Sequence, residues 1–274
     1  MKKILLIALV ALSFAACKKI EDKIEPEQPA PIVDKVATSE KQLVDSVIIV
    51  KQEGTFVITY KYDNNNKITN MHESTFSPPG LDADIDHVYT YDTQGNLIKS
   101  VITKGGNIST FTYTYQNGEP TLVSYSEAAN PTKAYTIDVT VQNNQVTGNI
   151  IHKYSGESTE VSYLYKNGNK IIENTNSYSL AGVKTTFATF NGVYGISKNP
   201  YLYSGNKWVL PDVPFANKND VYKTSTSKDD SEFTMSTIRR NYNAQNYPIL
   251  ALEQIILNDK ISSFYTFYKY INAK

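Results

Sequence analysis

The feature that most constrains this chain is a repeated hairpin. The stretches "ITYKYDNNNKITNM", "VYTYDTQGNLIKSV", "FTYTYQNGEPTLVSY", "IDVTVQNNQVTGNII", "VSYLYKNGNKIIENT" and "TFATFNGVYGIS" follow one another, each an alternating run, a polar turn and a second run. The last aromatic or apolar residue before each turn is Tyr62, Tyr91, Tyr115, Val141, Tyr165 and Phe190, at intervals of 29, 24, 26, 24 and 25 residues. The same rhythm continues to Phe215 and Tyr242. A period held over this many units means that each unit is one supersecondary element stacked on its neighbour.

The unit has the physics of a β-hairpin. Phe56, Ile58, Tyr60 and Tyr62 share one face of the incoming run, and Val57, Thr59 and Lys61 share the other. Phe111, Tyr113 and Tyr115 alternate with Thr110, Thr112 and Thr114, and Tyr135, Ile137, Val139 and Val141 with Thr136, Asp138 and Thr140. Period two with one apolar face marks a half-buried strand. Between the runs lie Asn64-Asn65, Gly95-Asn96, Asn117-Gly118, Asn143-Asn144 and Asn167-Gly168, residue types that tolerate the positive φ of tight turns. The chain holds 21 tyrosines, a residue suited to a pleated surface.

The predicted fold is therefore all-β: an antiparallel hairpin meander of about 16–18 short strands, rolled or flattened into a single barrel-like or sandwich-like domain. Its bounds are residues 43–274, with an irregular aromatic and proline-bearing segment at 194–220. An outer-membrane barrel is also a hairpin meander, but its outward face must be strongly apolar. Here the polar faces carry Thr, Lys, Ser and Asn, which favours a water-soluble roll.

"YTYDTQGNLIKS" resembles the YD repeat of RHS-type bacterial surface and toxin-shell proteins, whose hairpins wind into a curved sheet. Over Val47 to Tyr270 the chain is also similar to a family of Bacteroidota lipoproteins of unknown function with a porin-like fold. Neither resemblance implies a catalytic residue.

The N-terminus, "MKKILLIALVALSFAACKK", pairs basic Lys2 and Lys3 with an apolar stretch from Ile4 to Phe14 and the small pair Ala15-Ala16. That is the pattern of a secretory signal over residues 1–16, with an apolar core too short to span a bilayer. Cys17, the only cysteine, follows directly. Phe14-Ala15-Ala16-Cys17 resembles the lipobox of bacterial lipoproteins, which implies lipidation of Cys17. Residues 17–42 then read as that anchor and a Lys-, Glu- and Pro-rich flexible tether. The expected location is the cell envelope, lipid-anchored to the outer membrane on its periplasmic or surface face. With Cys17 lipidated, no thiol remains for a disulfide, a metal or a nucleophile.

Charge is balanced, 27 basic residues against 27 acidic, and no basic stripe appears, so nucleic acid is not an expected partner. No catalytic, phosphate-binding or zinc motif is present, and no cofactor or metal is expected. Asp82, Asp84 and Asp86 begin like a calcium loop, but His87 and Thr93 stand where Gly and Glu are needed, leaving a solvated acidic loop. His72, His87 and His152 are read as surface or hydrogen-bonded residues. Glu53, Glu73, Glu157, Glu160, Glu173 and Glu253 are read as a solvated sheet face. Arg239 and Arg240 are read as members of a surface ion pair.

The segment "YGISKNPYLYSGNKWVLPDVPFANKND" breaks the rhythm. Pro200, Pro211 and Pro214 interrupt a central strand, and Tyr201, Tyr203, Trp208 and Phe215 gather aromatic surface. It is a candidate ligand-binding surface, for polysaccharide, peptide or an envelope protein, or else a plug that fills the core at an open end. The two coexist if the plug lines a pocket mouth. The favoured function is non-enzymatic binding or scaffolding. The alternatives are a glycan-active hydrolase using carboxylates near this segment and a carrier of an apolar ligand inside the roll.

Overall fold

The structure, a computed structural model, describes residues 41–76, 84–143, 145–152, 158–179, 181–182, 184–208, 210–212, 214, 217–228, 232–257 and 260–274. The signal sequence, Cys17 and the tether up to residue 40 lie outside the described residues, as does Phe215.

Sixteen strands follow one another: β1 (Gln42–Lys51), β2 (Gly54–Tyr62), β3 (Ile68–Phe76), β4 (Ile85–Tyr91), β5 (Leu97–Lys104), β6 (Asn107–Gln116), β7 (Glu119–Glu127) and β8 (Tyr135–Gln142). They continue as β9 (Gln145–His152), β10 (Ser158–Lys166), β11 (Asn169–Tyr178), β12 (Lys184–Lys198), β13 (Asn219–Lys228), β14 (Glu232–Tyr242), β15 (Pro248–Leu257) and β16 (Lys260–Asn272). Each pairs antiparallel with its sequence neighbours, and β16 pairs with β1, closing a barrel. Of the closures open to the meander, the chain takes the one that leaves no sheet edge.

The predicted faces are the observed ones. Tyr60, Tyr89, Phe111, Tyr113, Val123 and Ile137 are buried in one core cluster, with Tyr62, Tyr91, Tyr115, Tyr135 and Val139 packed against it. Their alternates Thr59, Thr90, Thr112, Thr114, Thr136, Asp138 and Thr140 are exposed. Burying each large side chain contributes about 1.5–3 kcal/mol, and period two gives every strand several such positions.

The YD spelling has a local cause. Asp63 Oδ1 accepts from the backbone N–H of Asn65 and Lys67, and Asp92 Oδ1 accepts from Gln94 and Asn96. Asn243 Oδ1 does the same for Gln245 and Tyr247. In each five-residue turn the fourth residue takes positive φ: Asn66 at 65°, Gly95 at 81° and Asn246 at 66°. The first turn therefore pivots on Asn66 rather than on Asn64-Asn65. Two-residue turns at Asn117-Gly118 and Asn167-Gly168 have both residues at positive φ, the twist that matches a hairpin.

After each of these turns the register slips by one residue. Tyr62 faces Ile68 but Lys61 faces Asn70; Tyr91 faces Leu97 but Thr90 faces Lys99; Tyr242 faces Pro248 but Asn241 faces Leu250. The bulge seats the first outgoing residue in the core, where Ile68, Leu97, Pro120 and Pro248 are almost fully buried. In several units a tyrosine of a later strand then closes onto a carbonyl of an earlier one, that of the first outgoing residue for Ile68 and Pro248, although Tyr115 Oη finds no such partner. Tyr91 Oη donates to Ile68 O at 2.8 Å, Tyr270 Oη to Pro248 O at 2.7 Å, Tyr194 Oη to Lys170 O and Tyr62 Oη to Val44 O. The tyrosine thus buries its ring and ties its hairpin to the one before.

Two details of the rhythm differ from the sequence reading. The residue making this clamp in the sixth unit is Tyr194, not Phe190, because β12 runs on to Lys198. The irregular segment accordingly occupies 199–218 rather than 194–220. It replaces the turn between β12 and β13, at the same barrel end as the Tyr-Asp turns.

Replacing Tyr91 with Phe keeps the ring and leaves the carbonyl of Ile68 without its donor. The expected cost is about 1–2 kcal/mol, read as a lower urea midpoint with an unchanged denaturant slope.

Candidate functional site

A sixteen-stranded wall encloses more volume than its own side chains readily fill; barrels of about eight strands are the size that side chains pack. The 199–218 segment meets this need by turning inward. Its backbone is tied to the neighbouring turns: Lys198 N–H donates to Asn246 O at 3.1 Å and Lys218 N–H to Gly168 O at 3.0 Å. Trp208 Nε1 reaches Gly118 O at 3.3 Å. Asn169 and Asn219 exchange amide contacts at 3.1 and 2.8 Å, stitching the segment's exit to β11.

Inside, Tyr201 Oη and Tyr60 Oη share a hydrogen bond at 2.7 Å, with their rings edge-to-face at 5.7 Å. Burial pushes the Tyr201 phenol well above its usual range, so it stays neutral. Leu210 is buried in the core cluster, and Tyr201 and Trp208 pack against it. Tyr113 Oη donates to Pro211 O at 2.8 Å. Tyr203 is half-buried, with the Lys41 ammonium 5.3 Å from its ring centre, and the Lys207 ammonium lies 4.7 Å from the ring centre of Trp208. The structure thus brings Tyr201 and Trp208 onto the core and leaves Tyr203 and Trp208 partly open.

The strongest polar contact holding the segment is one that the sequence reading did not single out. His87 on β4 is 6% exposed and faces the lumen beside Tyr89. Its Nδ1 lies 2.7 Å from Asp212 Oδ1, and its Nε2 lies 3.3 Å from Glu73 Oε1 on β3. Ser100 Oγ, fully buried on β5, donates to Asp212 Oδ2. Burial by itself would depress the imidazolium, but the hydrogen bonds to Asp212 and Glu73 outweigh it and lift the pKa to about 9. His87 therefore sits between two carboxylates, one on the wall and one on the inserted segment, a setting that favours its protonated form.

These four residues are not arranged as a hydrolytic triad. Ser100 donates its hydrogen bond to Asp212, while both nitrogens of His87 are directed at carboxylates, so no imidazole nitrogen accepts from the hydroxyl. The signal for His87 was present in the sequence: Ile85, His87, Tyr89 and Tyr91 alternate on the inward face. Its partner Asp212, 125 residues away, left no local mark.

A second buried pair lies across the lumen. Arg240 Nε is 3.0 Å from Asp220 Oδ2, with the two side chains 6% and 4% exposed, and Arg240 also donates to Val221 O. Burial pushes the Asp220 carboxyl up to about 7, against the pull of Arg240. The expected surface ion pair of the two arginines is thus corrected. Arg239 is exposed, whereas Arg240 is interior, because neighbouring residues on β14 point to opposite sides. Glu73 lies on the His87 side of β3, yet its side chain is 37% exposed and remains partly solvated as expected. Asp84 and Asp86 are exposed as expected, with Asp86 2.8 Å from His72 Nδ1; Asp82, Glu157 and the side chain of His152 lie outside what is described.

With this geometry in view, comparison with known proteins gives a likeness of fold. No protein-family model matches the chain, and no curated protein matches it. Among solved structures, it is similar to a porin-like protein from Bacteroides uniformis ATCC 8492, with 12% identity and a TM-score of 0.56. The match covers 86% of this chain and 99% of that one. A porin-like protein from Bacteroides vulgatus ATCC 8482 is similar at 10% identity and a TM-score of 0.55, covering 84% and 99%. At these identities the shared property is the barrel.

The His87 cluster makes a pH prediction with a definite sign. A pKa raised from 6.5 to about 9 on folding contributes stability that is complete below 6.5 and lost as pH rises through about 9. Unfolding free energy should fall across that window, by on the order of 3 kcal/mol at most. Urea titrations at pH 6, 7.5 and 9 measure it, and Asp212→Asn should flatten the slope while lowering stability at pH 6.

Proposed function

We propose that this chain is a lipid-anchored protein of the bacterial cell envelope whose closed barrel carries out non-enzymatic binding or scaffolding rather than passage of solutes. The observation that carries the reading is the inserted segment. Held by Asp212, Tyr201 and the backbone of Pro211, it fills one end of the lumen. A conducting pore needs a water-lined path there, and this end is occupied by aromatic and aliphatic side chains.

The exposed Asp86, Lys99, Asp138 and Glu160 on the outer face of the strands support a water-facing barrel, since a lysine facing lipid costs about 2–4 kcal/mol near the midplane and a carboxylate a smaller amount. The anchor itself rests on the lipobox resemblance at Cys17. The porin-like neighbours from Bacteroides support an envelope role through fold alone.

The binding surface in this reading is the outer side of the plug, where Tyr203 and Trp208 are partly open and Lys41 and Lys207 stand beside them. Aromatic faces with adjoining ammonium groups suit the ring faces and acidic groups of an envelope polysaccharide. Tyr201 supports this surface from below through Tyr60. Peptide and envelope-protein partners belong to the same class of contact.

Trp208 is the sole tryptophan, so its emission reports on this surface without labelling. Titration with acidic bacterial polysaccharide should give a saturable emission shift that Tyr203→Ala weakens. Emission unchanged by polysaccharides and by envelope extracts would remove the surface from consideration. For the anchor, Cys17→Ala should move the protein from the membrane to the soluble envelope fraction; continued membrane fractionation would sink the lipoprotein reading.

A further inference from the structure

The outer face of the barrel is not uniform. Among the described residues, fifteen large apolar side chains stand exposed, and eight of them lie on β1, β15 and β16, three adjacent strands of sixteen. Register aligns them in rows. Ile48, Phe267 and Leu250 face one another across the three strands, and Val50, Tyr265 and Leu252 form the next row. Ile48, Val50, Tyr265 and Phe267 are 39%, 38%, 47% and 43% exposed. Ile271 and Ile261 extend the patch toward the two barrel ends.

The patch runs lengthwise along three strands. A barrel inserted in a bilayer needs an apolar girdle around its whole circumference, whereas a lengthwise stripe fits a barrel that lies against a surface. Tyr and Phe among aliphatics are the mixture that settles at a lipid–water boundary. Cations border the stripe at Arg239, opposite Leu252, and at Lys260, beside Ile261; Lys269, on the central strand between Phe267 and Ile271, is already paired with Asp45 at 2.8 Å. Two copies packed face to face would bring such borders against each other, while an anionic headgroup layer neutralises them.

The chain that precedes the barrel decides between surfaces. Cys17 and Gln42, where β1 begins, are separated by 24 residues in the sequence, and on the tether reading a coil of that length spans on the order of 27 Å. An anchor at Cys17 therefore delivers β1, itself part of the stripe, to the headgroup region. At such effective concentrations even a weak surface affinity is enough.

We propose that the β1–β16–β15 stripe docks on the phospholipid surface that holds the anchor, with those strands lying along the membrane plane. This rests on the lipid-anchor reading and adds an orientation to it. The docked barrel leaves β8, eight strands away from β16 around the barrel, facing away from the lipid.

The test uses the absence of any cysteine besides Cys17. The lipidated protein carrying Phe267→Cys, and separately Thr140→Cys on the exposed face of β8, is labelled with bimane and reconstituted on phosphatidylglycerol-containing vesicles bearing nitroxide lipids. The expected result is quenching of the label at 267 and none at 140. Protein that floats with the vesicles while both labels quench equally, or neither does, overturns the docking and leaves the anchor standing. Protein that fails to float overturns the anchor. The same pair in a Cys17→Ala background, with vesicles in excess, then decides the stripe alone: selective quenching at 267 upholds it and its absence overturns it. A label at 267 already shielded before vesicles are added, with the mass of a dimer, assigns the stripe to a second copy and overturns the proposal.

Discussion

The structure depends on placing long side chains inside a wide barrel and on tying many of their polar tips to the backbone. Sixteen strands leave a lumen larger than aliphatic residues can occupy from the wall. Tyrosine answers both halves of the problem. Its ring is long enough to reach inward, and its hydroxyl at the ring's tip finds the carbonyl at the start of the preceding outgoing strand, as Tyr91 does with Ile68 and Tyr270 with Pro248. Phenylalanine would supply the volume and leave those carbonyls unsatisfied; leucine would supply neither the reach nor the donor. The abundance of tyrosine is thus a consequence of strand number.

The inserted segment is the same constraint met by backbone. Where β12 and β13 would be joined by a short turn, the chain spends residues 199–218 on an inward excursion. Polar groups enter with it, and each needs a partner because an unpaired buried polar group is expensive. Asp212 is answered by His87 and Ser100, Tyr201 by Tyr60, and the carbonyl of Pro211 by Tyr113. His87 stands between the buried Asp212 and the partly solvated Glu73, and those two contacts favour its protonated form. The Asp220–Arg240 pair applies the same solution where β13 meets β14 near the end of the excursion.

This division of labour also separates the two surfaces on which function can rest. The lumen face carries the buried ring cluster and most of the long-range hydrogen bonds described above, while the plug's outer side and the barrel's exterior present the exposed aromatic and apolar side chains. Tyr203 and Trp208 belong to the first. The apolar rows on β1, β15 and β16 belong to the second, and they lie on the strand that the preceding chain enters. These are the two faces on which the proposed lipid and partner contacts rest.

The alternation of Phe111, Tyr113 and Tyr115 with Thr110, Thr112 and Thr114 settled by itself which face is inside, because side-chain direction along a strand is a local property. The Asp-x-x-Gly and Asn-Gly turns settled where hairpins reverse, for the same reason, although the pivot at Asn66 rather than Asn64-Asn65 needed the backbone. The sequence also showed, through Pro200, Pro211 and Pro214, that the strand rhythm breaks within 194–220, while the bounds 199–218 needed the backbone. It did not show that β1 meets β16, that Asp212 lands on His87, or that Arg240 turns inward to Asp220. Those are encounters between residues far apart in the chain. They follow from closure and from the one-residue bulges that accumulate around the barrel, and both exist only once all sixteen strands are in register.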